Sequence, residues 1–190
     1  MSESFIGKFK VENEAVNNVL KFFHKNKKRH KPGVVGGKKE LTLENKESTD
    51  IPLTTEDLAL NKEIRSYLEE LSFCVNKYKK KYVFADQQQS KWGLGGCNIQ
   101  MYKPGQGFKV WHYENDGSPD SVKRHLVFMT FLNTCKNAGT MFYYQKKTFD
   151  CKKGDTLIWP AAWTHTHKGE ISKKQTKNKY IITGWWRYAD

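Results

Sequence analysis

The 190-residue sequence contains no long hydrophobic run. None of its apolar stretches approaches the roughly 20 residues that a membrane-spanning helix requires. The first residues, Met1-Ser-Glu-Ser, also lack the basic start and the apolar centre of a secretory signal. These absences predict a protein of the cytoplasm, or of a host cytoplasm, that has no membrane partner.

Cysteine is scarce, and its spacing suggests no crosslinked framework. The four cysteines form neither a CxxC pair nor a spacing typical of disulfide scaffolds: Cys74, Cys97, Cys135 and Cys151. A reducing compartment is therefore favoured over secretion.

Acidic residues are outnumbered by basic ones. The chain has 33 Lys and Arg against 20 Asp and Glu, which gives a formal net charge of +13. Such an excess would suit nucleic acid or another anionic partner. The lysines are spread over several clusters, however, and a solvated lysine-rich surface is the simpler interpretation.

Helical periodicity dominates the first half of the chain. Apolar residues recur at helical spacing over residues 11–25, and again over residues 58–82 after the capping signals of residues 54–57. Between them, residues 26–39 are basic and rich in glycine, which predicts a mobile loop. A flexible linker is favoured there over a substrate-binding or nucleic-acid-binding arm.

The second half changes to short β-prone runs separated by turns. These runs cover residues 97–102, 108–114, 125–132, 140–144, 148–151, 156–159, 163–167 and 179–187. Such a series predicts a sandwich or barrel that preceding helices can brace. We expect one domain over residues 1–190, mostly β with N-terminal helices (α+β). Residues 1–92 would form a helical support region, and residues 93–190 a double-stranded β-helix core, a cupin-like jelly roll braced by two helices.

A candidate metal site lies at the end of the segment Tyr102–Glu114. His112 and Glu114 are two residues apart, so on a strand both side chains point to the same face. His165 or His167 can supply a third ligand from another predicted strand. Two imidazoles and one carboxylate form the facial triad typical of non-haem Fe(II) oxygenases. A zinc hydrolase could use the same ligand types.

Several further motifs follow this segment in a recognisable order. The complete series is Tyr102–Glu114, Phe131–Asn133, Ala138–Phe142, Lys153-Gly154, His167 and Lys179. In this order, across residues 97–187, the motifs resemble the 2-oxoglutarate- and Fe(II)-dependent dioxygenases. The branch most similar is that of the prolyl 4-hydroxylases and lysyl hydroxylases, in their microbial, phage or viral forms.

The resemblance implies a reaction and its cofactors. An unactivated C–H bond, most simply that of a prolyl residue in a peptide or protein, would be hydroxylated. 2-Oxoglutarate would be decarboxylated to succinate and CO2 in the same cycle. Fe(II), 2-oxoglutarate and dioxygen are implied, with ascorbate as an additional candidate.

The resemblance also assigns metal ligands. His112, Glu114 and His167 would hold the iron. His167 is chosen over His165 because Thr164–Gly169 is similar to the Thr-His-x-His-x-Gly stretch of procollagen lysyl hydroxylases, in which the second histidine is the ligand. Glu114 stands where the family usually has aspartate, which adds one methylene to the ligand.

Other residues receive supporting roles from the same resemblance. Lys179 would pair with the distal carboxylate of 2-oxoglutarate, with Lys177 as its competitor. Tyr102 and Thr130 would donate hydrogen bonds to the cosubstrate. Shielding from solvent would fall to four aromatic residues, Trp111, Tyr113, Trp163 and Trp185. Asp116 is a second candidate carboxylate, and Arg124 is a substrate or structural contact.

Three alternatives remain at this stage. A nucleic-acid oxygenase is less favoured, because AlkB-type dealkylases end in an Arg-x5-Arg pattern and only Lys179 and Arg187 occur here. A small-metabolite oxygenase would share the same motifs. A non-catalytic cupin-like binding module would keep the fold, but it would not require Lys179 beside a complete triad. No feature of the sequence indicates an oligomeric state.

Overall fold

The computed structural model describes residues 3–34 and 44–189. Its α-helices in this part of the chain are α1 (Asn13–Lys25), α2 (Thr55–Leu60) and α3 (Lys62–Lys81). The expected helix over residues 11–25 is confirmed. Helix α1 buries an apolar stripe that includes Val16, Val19 and Phe23, and it packs against α3.

The expected single helix over residues 58–82 is wrong, because the chain breaks at Asn61. Asn61 ends α2 in an extended conformation, and its side chain accepts a hydrogen bond from the Ile64 amide at 3.1 Å. Asparagine is among the preferred helix N-caps, since its oxygen satisfies an amide that the first turn leaves free. Helix α2 has its own start, a capping box formed by Thr54 and Asp57.

A seven-stranded antiparallel sheet forms the larger layer. Its strands, in spatial order, are β1 (Gly7–Lys10), β8 (Asp155–Pro160), β5 (Arg124–Phe131), β10 (Lys179–Tyr188), β4 (Trp92–Tyr102), β3 (Thr49–Pro52) and β2 (Lys31–Pro32). The first half of the chain therefore contributes strands at both edges as well as helices. The central pair, β10 and β4, joins Lys179 to Tyr102 and Ile182 to Ile99.

A smaller sheet faces the first. Its order is β7 (Lys147–Cys151), β6 (Cys135–Phe142) and β9 (His167–Gly169). The expected jelly roll, mostly β with bracing helices, is confirmed by these two antiparallel sheets. Within the described ranges its bracing layer has three α-helices and not the two expected, because α2 and α3 are separate.

Two segments differ from the expected strands. Residues 108–114 form no strand and make only isolated bridges, which join Phe108 to Lys46 and His112 to His167. Residues 163–165 form a short 3-10 turn, so His165 precedes β9 and does not share a strand face with His167. Residues 163–165 connect β8 of the large sheet to β9 of the small sheet, whereas residues 108–114 connect β4 to β5 and bridge to β9 through His112.

The basic loop expected over residues 26–39 is partly ordered. Residues 27–29 form a 3-10 turn, and β2 pairs with β3, so this part is not the mobile loop that was expected. Arg29 ties it to α2 through two hydrogen bonds to the Asp57 carboxylate, at 2.9 and 2.6 Å. Residues 35–39 lie outside the described part.

The large sheet separates two apolar cores. On one side α1 and α3 cover residues such as Ile99, Phe128 and Ile182. On the other side, between the two sheets, lie residues such as Val127, Phe131 and Trp159. The four cysteines are buried and form no disulfide. No helix in the described ranges is both long enough and apolar enough to span a bilayer.

Candidate active site

A cavity of about 640 Å3 opens between the two sheets. The residues that line it alternate along the central strands, because successive side chains of a strand point to opposite faces. On β4 they are Asn98, Gln100 and Tyr102, and on β10 they are Lys179, Ile181, Thr183, Trp185 and Arg187. The cavity is thus the inner face of the central pair, and its lining mixes polar groups with apolar ones.

Three ligand-type side chains converge at this cavity. Glu114 Oε1 lies 3.6 Å from His112 Nε2 and 3.6 Å from His167 Nε2. All three donor atoms lie within 4.8 Å of one another. The structure therefore brings together the three residues that the sequence selected, although the segment carrying two of them is not a strand.

Backbone hydrogen bonds hold this non-strand segment in place. The amides of His112 and His167 each donate to the carbonyl of the other, at 3.0 and 2.8 Å. The Glu114 amide donates to the Ala161 carbonyl at 3.1 Å. The segment stays extended enough for His112 and Glu114 to share one side. Alternation was the right reason for their common face, although the pairing partners differ from those of a regular strand.

The two histidines are oriented through their second ring nitrogens. His112 Nδ1 lies 3.1 Å from the Val110 carbonyl oxygen, and His167 Nδ1 lies 2.9 Å from that of His165. A carbonyl only accepts, so each Nδ1 carries the proton and each Nε2 offers a lone pair. Metal-binding histidines are commonly fixed in this way.

The second oxygen of Glu114 is held by two donors. The Trp185 indole donates to Oε2 at 2.8 Å, and Arg124 Nη1 donates to the same oxygen at 3.1 Å. Arg124 also donates to the Glu114 carbonyl at 2.9 Å, and its guanidinium lies 4.0 Å from the centre of the Trp185 ring. We call Arg124 and Trp185 the carboxylate clamp. It leaves Oε1 directed toward the histidines.

The electrostatics favour an ionised Glu114 and a neutral His167. Burial alone would raise the pKa of Glu114, but the neighbouring His112 and His167 bring it well below its ordinary range. Burial and the neighbouring His112 lower the pKa of His167. Burial also lowers the pKa of Arg124, although Glu114 opposes this shift. A carboxylate beside neutral imidazoles is the donor set that a divalent metal requires.

The arrangement fits a metal ion by donor type and by spacing. A six-coordinate ion with bonds of about 2.1 Å holds adjacent donor atoms about 3 Å apart. The Glu114 distances of 3.6 Å are close to this value. With its outer oxygen clamped, the longer side chain of Glu114 places Oε1 equally far from both imidazoles.

Lys179 is a buried cation at the inner end of the cavity. Its side chain is 6% exposed, and its ammonium donates to the Gly139 carbonyl at 3.1 Å. The rings of Phe131 and Tyr102 lie 5.4 and 5.8 Å from it. No carboxylate in the described ranges forms an ion pair with it. Burial lowers the pKa of Lys179 from its ordinary value, and the nearby Cys151, Cys135 and Glu170 oppose this shift only in part. Its competitor Lys177 is exposed.

Tyr102 lies beside Lys179 in the cavity wall. Its hydroxyl donates to Gln100 Oε1 at 2.6 Å, and burial raises its pKa well above the ordinary value. The hydroxyl therefore keeps its proton and can turn toward a ligand. Gln100 and Asn98 were missed by sequence reasoning. Their signal was the alternation of polar residues with the apolar Cys97, Ile99 and Met101.

The expected role of Thr130 is wrong. Thr130 lies on the helix-facing side of β5, where its hydroxyl contacts Tyr67 at 2.8 Å and Thr156 at 2.7 Å. It does not line the cavity, whereas its neighbour Met129 does. The strand is buried on both faces, so its apolar run did not reveal which residues point inward.

His165 and Asp116 lie away from the three donors. His165 is buried, with its ring nitrogens 2.9 Å from Thr164 Oγ1 and 3.0 Å from the Ser4 carbonyl oxygen. Asp116 accepts hydrogen bonds from Ser118 and Ser121, which lower its pKa to about 2. Its carboxylate thus stabilises the turn that follows the metal-binding segment. Neither residue belongs to the group of three donors.

The aromatic residues expected to shield the site divide into two groups. Trp185 and Tyr113 line the cavity. Trp111 and Trp163 do not line it and are 38% and 59% exposed, although Tyr113 is itself 41% exposed. The imidazoles are covered by other rings. Phe108 stacks on His112 with centroids 3.6 Å apart, and Trp159 packs edge-on against His167 at 5.0 Å.

A comparison with known protein families agrees with this geometry. The family model of the 2OG-Fe(II) oxygenase superfamily matches residues 97–187, which include all three donors and Lys179. This chain carries a 2OG-Fe(II) oxygenase domain. The expectation of a 2-oxoglutarate-dependent dioxygenase is confirmed at this level, and the family implies Fe(II), 2-oxoglutarate and dioxygen. No curated protein matches the chain significantly by sequence.

Solved structures of similar fold cover nearly the whole chain. The viral collagen prolyl hydroxylase of Paramecium bursaria chlorella virus 1 has a TM-score of 0.69 at 15% identity, and covers 97% of both chains. A prolyl-4-hydroxylase of Pseudomonas putida has a TM-score of 0.70 at 12% identity, over 98% of this chain and 94% of its own.

A third similar structure contains a peptide. The prolyl hydroxylase of Trichoplax adhaerens, in complex with a peptide fragment of the oxygen degradation domain of hypoxia-inducible factor, has a TM-score of 0.72 at 13% identity. It covers 97% of this chain and 84% of its own. All three are prolyl hydroxylases, the branch that the sequence motifs resemble. At these identities the likeness establishes the shared fold.

Proposed function

We propose that this chain hydroxylates a prolyl residue of a peptide or protein, with Fe(II) bound by His112, Glu114 and His167 and 2-oxoglutarate anchored by Lys179. The observation that carries the proposal is their convergence. Three metal-type donors and an unpaired buried ammonium face one cavity. A binding module that performs no chemistry has no need for this combination.

Different residues would bind the cosubstrate and position the metal ligands. Bound iron supplies the activation of dioxygen that allows an unactivated C–H bond to be hydroxylated. Lys179 is placed to pair with the distal carboxylate of 2-oxoglutarate, because a buried carboxylate requires a cationic partner. Tyr102 can donate to the same carboxylate. The carboxylate clamp and the carbonyls behind the two imidazoles fix the ligands before substrate arrives.

Exclusion of water falls to the aromatic residues around the triad. Phe108, Trp159 and Phe142 cover the imidazoles, with Phe142 5.6 Å from His167. A dry site protects a reactive oxidant from side reactions with solvent. Ascorbate would act as an auxiliary reductant that returns iron to Fe(II) after an unproductive cycle has oxidised it.

The choice of a prolyl substrate rests on the similar structures. Those compared above are prolyl hydroxylases, and one of them holds a peptide. The reaction would insert one oxygen atom of dioxygen into a prolyl C–H bond and the other into succinate, with release of CO2. Electrons balance, because 2-oxoglutarate gives up two on decarboxylation and the C–H bond gives up two.

The test is succinate formation by anaerobically purified protein that is supplied with Fe(II), air and 2-oxoglutarate. We expect iron-dependent turnover that proline-containing peptides increase. His167→Ala should abolish it, whereas His24→Ala, at an exposed position on α1, should not. Folded, iron-loaded protein that neither binds nor consumes 2-oxoglutarate would overturn the proposal. Turnover that no proline-containing peptide stimulates would overturn the prolyl assignment alone.

A further inference from the structure

Two of the buried cysteines face each other across the small sheet. Cys135 on β6 pairs directly with Cys151 on β7 in the antiparallel register. Directly opposed residues of an antiparallel pair have α-carbons about 4.5–5.5 Å apart, and their side chains share one face. A disulfide bridges α-carbons that lie about 4.4–6.8 Å apart. The backbone therefore holds these two thiols, which we call the thiol pair, at a separation that a disulfide can span.

The other two cysteines have no such relation. Cys74 lies on α3 and Cys97 on β4, in the core between the helices and the large sheet. The strand partner of Cys97 is Gly184. All four cysteines are at most 3% exposed. The thiol pair is therefore distinguished by its pairing across two strands and not by its burial.

The thiol pair lies beside Lys179, the proposed anchor of 2-oxoglutarate. Both thiols belong to the apolar cluster between the two sheets. Burial lowers the pKa of Lys179, and Cys151 and Cys135 oppose this shift more than any other group does. Burial raises the pKa of both thiols, that of Cys151 to about 11, and Lys179 opposes these shifts in turn. The two sulfur atoms and the ammonium are therefore close enough to influence one another.

Both thiols also donate hydrogen bonds to the segments that hold the anchor in place. The Cys135 thiol donates to the Lys177 carbonyl at 3.4 Å, just before β10 begins. The Cys151 thiol donates to the Asn133 carbonyl at 3.2 Å. The Asn133 side chain in turn accepts a hydrogen bond from the Tyr180 amide at 2.9 Å. The thiol pair thus contacts the backbone before the anchor directly and the backbone after it through Asn133.

The strand pair that carries the thiols also carries the carbonyl that the anchor contacts. Residues 136–139 of β6 bulge from the ladder directly after the thiol pair. The last residue of this bulge, Gly139, accepts the hydrogen bond from the Lys179 ammonium at 3.1 Å. The Gly139 amide donates to the Glu170 carboxylate at 2.9 Å. A covalent change at the start of the bulge therefore acts on the carbonyl that orients Lys179.

We propose that the thiol pair is a reversible redox switch, in which oxidation to a Cys135–Cys151 disulfide weakens the binding of 2-oxoglutarate. This inference rests on the proposed function, and it adds a regulation of the same site. A disulfide removes both S–H donors and draws the two sulfur atoms to about 2.05 Å from each other. The carbonyls of Lys177 and Asn133 then lose these donors. The backbone around Lys179 is therefore held less firmly, and the ammonium is less well placed for a carboxylate.

The oxidation balances with hydrogen peroxide as the two-electron oxidant. Cys135 reacts first, because the cations of Lys177 and Lys179 favour its thiolate against the effect of burial. The thiolate attacks one peroxide oxygen, the O–O bond breaks, and the departing hydroxide takes up the thiol proton as water. The Cys151 thiol then attacks the sulfenic sulfur, which forms the S–S bond and releases a second water. Two thiols and one peroxide thus give one disulfide and two water molecules.

The experiment compares the full chain before and after oxidation. Iron-free protein is treated with hydrogen peroxide and freed of it, and one half is then reduced with dithiothreitol, which is also removed. Mass spectrometry of proteolytic peptides identifies the cross-link. Anaerobic calorimetry of the Fe(II)-loaded protein measures the Kd for 2-oxoglutarate. The variants are Cys135→Ala and Cys151→Ala, and the control is Cys97→Ala, which removes an equally buried thiol from the other core.

We expect peroxide to link Cys135 to Cys151 and to leave the other two cysteines unlinked. The Kd of the oxidised wild type for 2-oxoglutarate should rise about three- to tenfold, because two weak hydrogen bonds near the anchor are lost. Dithiothreitol should restore the original Kd. The control Cys97→Ala should respond like the wild type. Each variant of the thiol pair should keep, after peroxide, the Kd that it had before.

Three results would overturn the inference. The first is the absence of the Cys135–Cys151 cross-link after peroxide treatment. The second is a cross-linked protein whose Kd stays within about twofold of the reduced value. The third is an equal loss of affinity in peroxide-treated Cys151→Ala, which would assign the effect to another oxidised residue. Reduced, iron-loaded protein that binds no 2-oxoglutarate would instead overturn the proposed function, and the mass spectrum would still decide whether the disulfide forms.

Discussion

The two faces of the central strands serve different purposes. Toward the helices, β10 and β5 present Ile182, Trp186 and Phe128 to a dry core. Toward the small sheet, the same strands present Lys179, Thr183 and Trp185 to the cavity. The comparison shows that one residue of shift along a strand separates a side chain that packs in the core from one that lines the cavity.

The two faces also differ in how their buried polar groups are partnered. On the helix side the hydroxyls of Tyr67, Thr130 and Thr156 satisfy one another within a closed group. On the cavity side, Lys179 is a buried cation that donates to the Gly139 carbonyl and forms no ion pair with a carboxylate of the described residues. Partnered polar groups stabilise a fold, whereas an unpaired buried charge is kept at a cost for the sake of a ligand.

The largest effect is expected from Lys179→Met, which removes the ammonium and keeps the length of the side chain. Loss of one partner from a buried, hydrogen-bonded charge pair costs about 4 kcal/mol, so we expect 2-oxoglutarate affinity to fall about a thousandfold. Anaerobic calorimetry with the iron-loaded protein measures this. The matched control is Lys177→Met, because Lys177 is exposed. Equal losses of 2-oxoglutarate affinity in both variants would show that the buried position of Lys179 in the cavity gives it no special role in binding.

The free energy of unfolding of Lys179→Met provides a second test. Since Lys179 is buried without a counter-ion, replacing it with methionine should leave the free energy of unfolding unchanged or raise it. Urea denaturation measures this value. A loss of more than about 2 kcal/mol would show that Lys179 stabilises the fold like a residue of the helix-facing core.

A smaller effect is expected from Trp185→Phe, which removes one of the two donors to Glu114 Oε2. Loss of a group that orients a metal ligand typically lowers metal affinity about 10- to 100-fold. Its neighbour Trp186 is the control, because it packs on the helix side of the same strand. Trp186→Phe should lower stability and leave Fe(II) affinity unchanged.

The Trp185 result is measured by anaerobic Fe(II) titration against a competing chelator. Glu114→Asp in the same background sharpens it, since the shorter side chain withdraws from the clamp. With aspartate at position 114, Trp185→Phe should therefore lower the Fe(II) affinity less than it does in the wild type. Equal sensitivity with either carboxylate would show that the clamp does not position the ligand.

How far the sequence predicted the site can be followed residue by residue. The spacing of His112 and Glu114 predicted their shared side, and motif order selected His167 and Lys179. The carboxylate clamp was not predicted, because Arg124 and Trp185 meet Glu114 only after β5, β10 and residues 108–114 are folded together. Their contacts are set by tertiary packing, for which the local pattern holds no signal.

The fold was predicted unevenly for similar reasons. Short alternating runs after residue 93 indicated the jelly roll. The break between α2 and α3 was missed, since apolar periodicity continues across Asn61 and hides its capping role. The edge strands β1 to β3 are short, and their pairing is decided by distant partners. Residues 108–114 form only isolated bridges, to Lys46 and to His167 of β9, and such pairing with distant partners is a property that no local pattern contains.

A moderate effect on stability is expected from Thr130→Val, which keeps the shape and removes one hydroxyl of the closed group. The hydroxyls of Tyr67 and Thr156 would each lose a partner, which costs about 1–2 kcal/mol of unfolding free energy. Urea denaturation measures this change. Affinity for 2-oxoglutarate should not change, and a large loss of that affinity would restore the cosubstrate role first expected for Thr130.

The smallest effect is a pH dependence. Burial lowers the pKa of Lys179, and only its protonated form pairs with the cosubstrate. As the pH rises through this lowered value, 2-oxoglutarate affinity should fall, by at most about tenfold per pH unit. Lys179→Arg keeps its charge over this range and should abolish the alkaline decline. An identical pH profile for both proteins would assign the decline to another group.

The central claim is that His112, Glu114 and His167 hold iron in the cavity where Lys179 holds 2-oxoglutarate. Its most direct test is the visible charge-transfer absorption of the anaerobic protein titrated with Fe(II) in the presence of 2-oxoglutarate. We predict a band that saturates at one iron per chain, is lost in His167→Ala and persists in His24→Ala. Absence of the band in folded wild-type protein, or its persistence in His167→Ala, would contradict the claim.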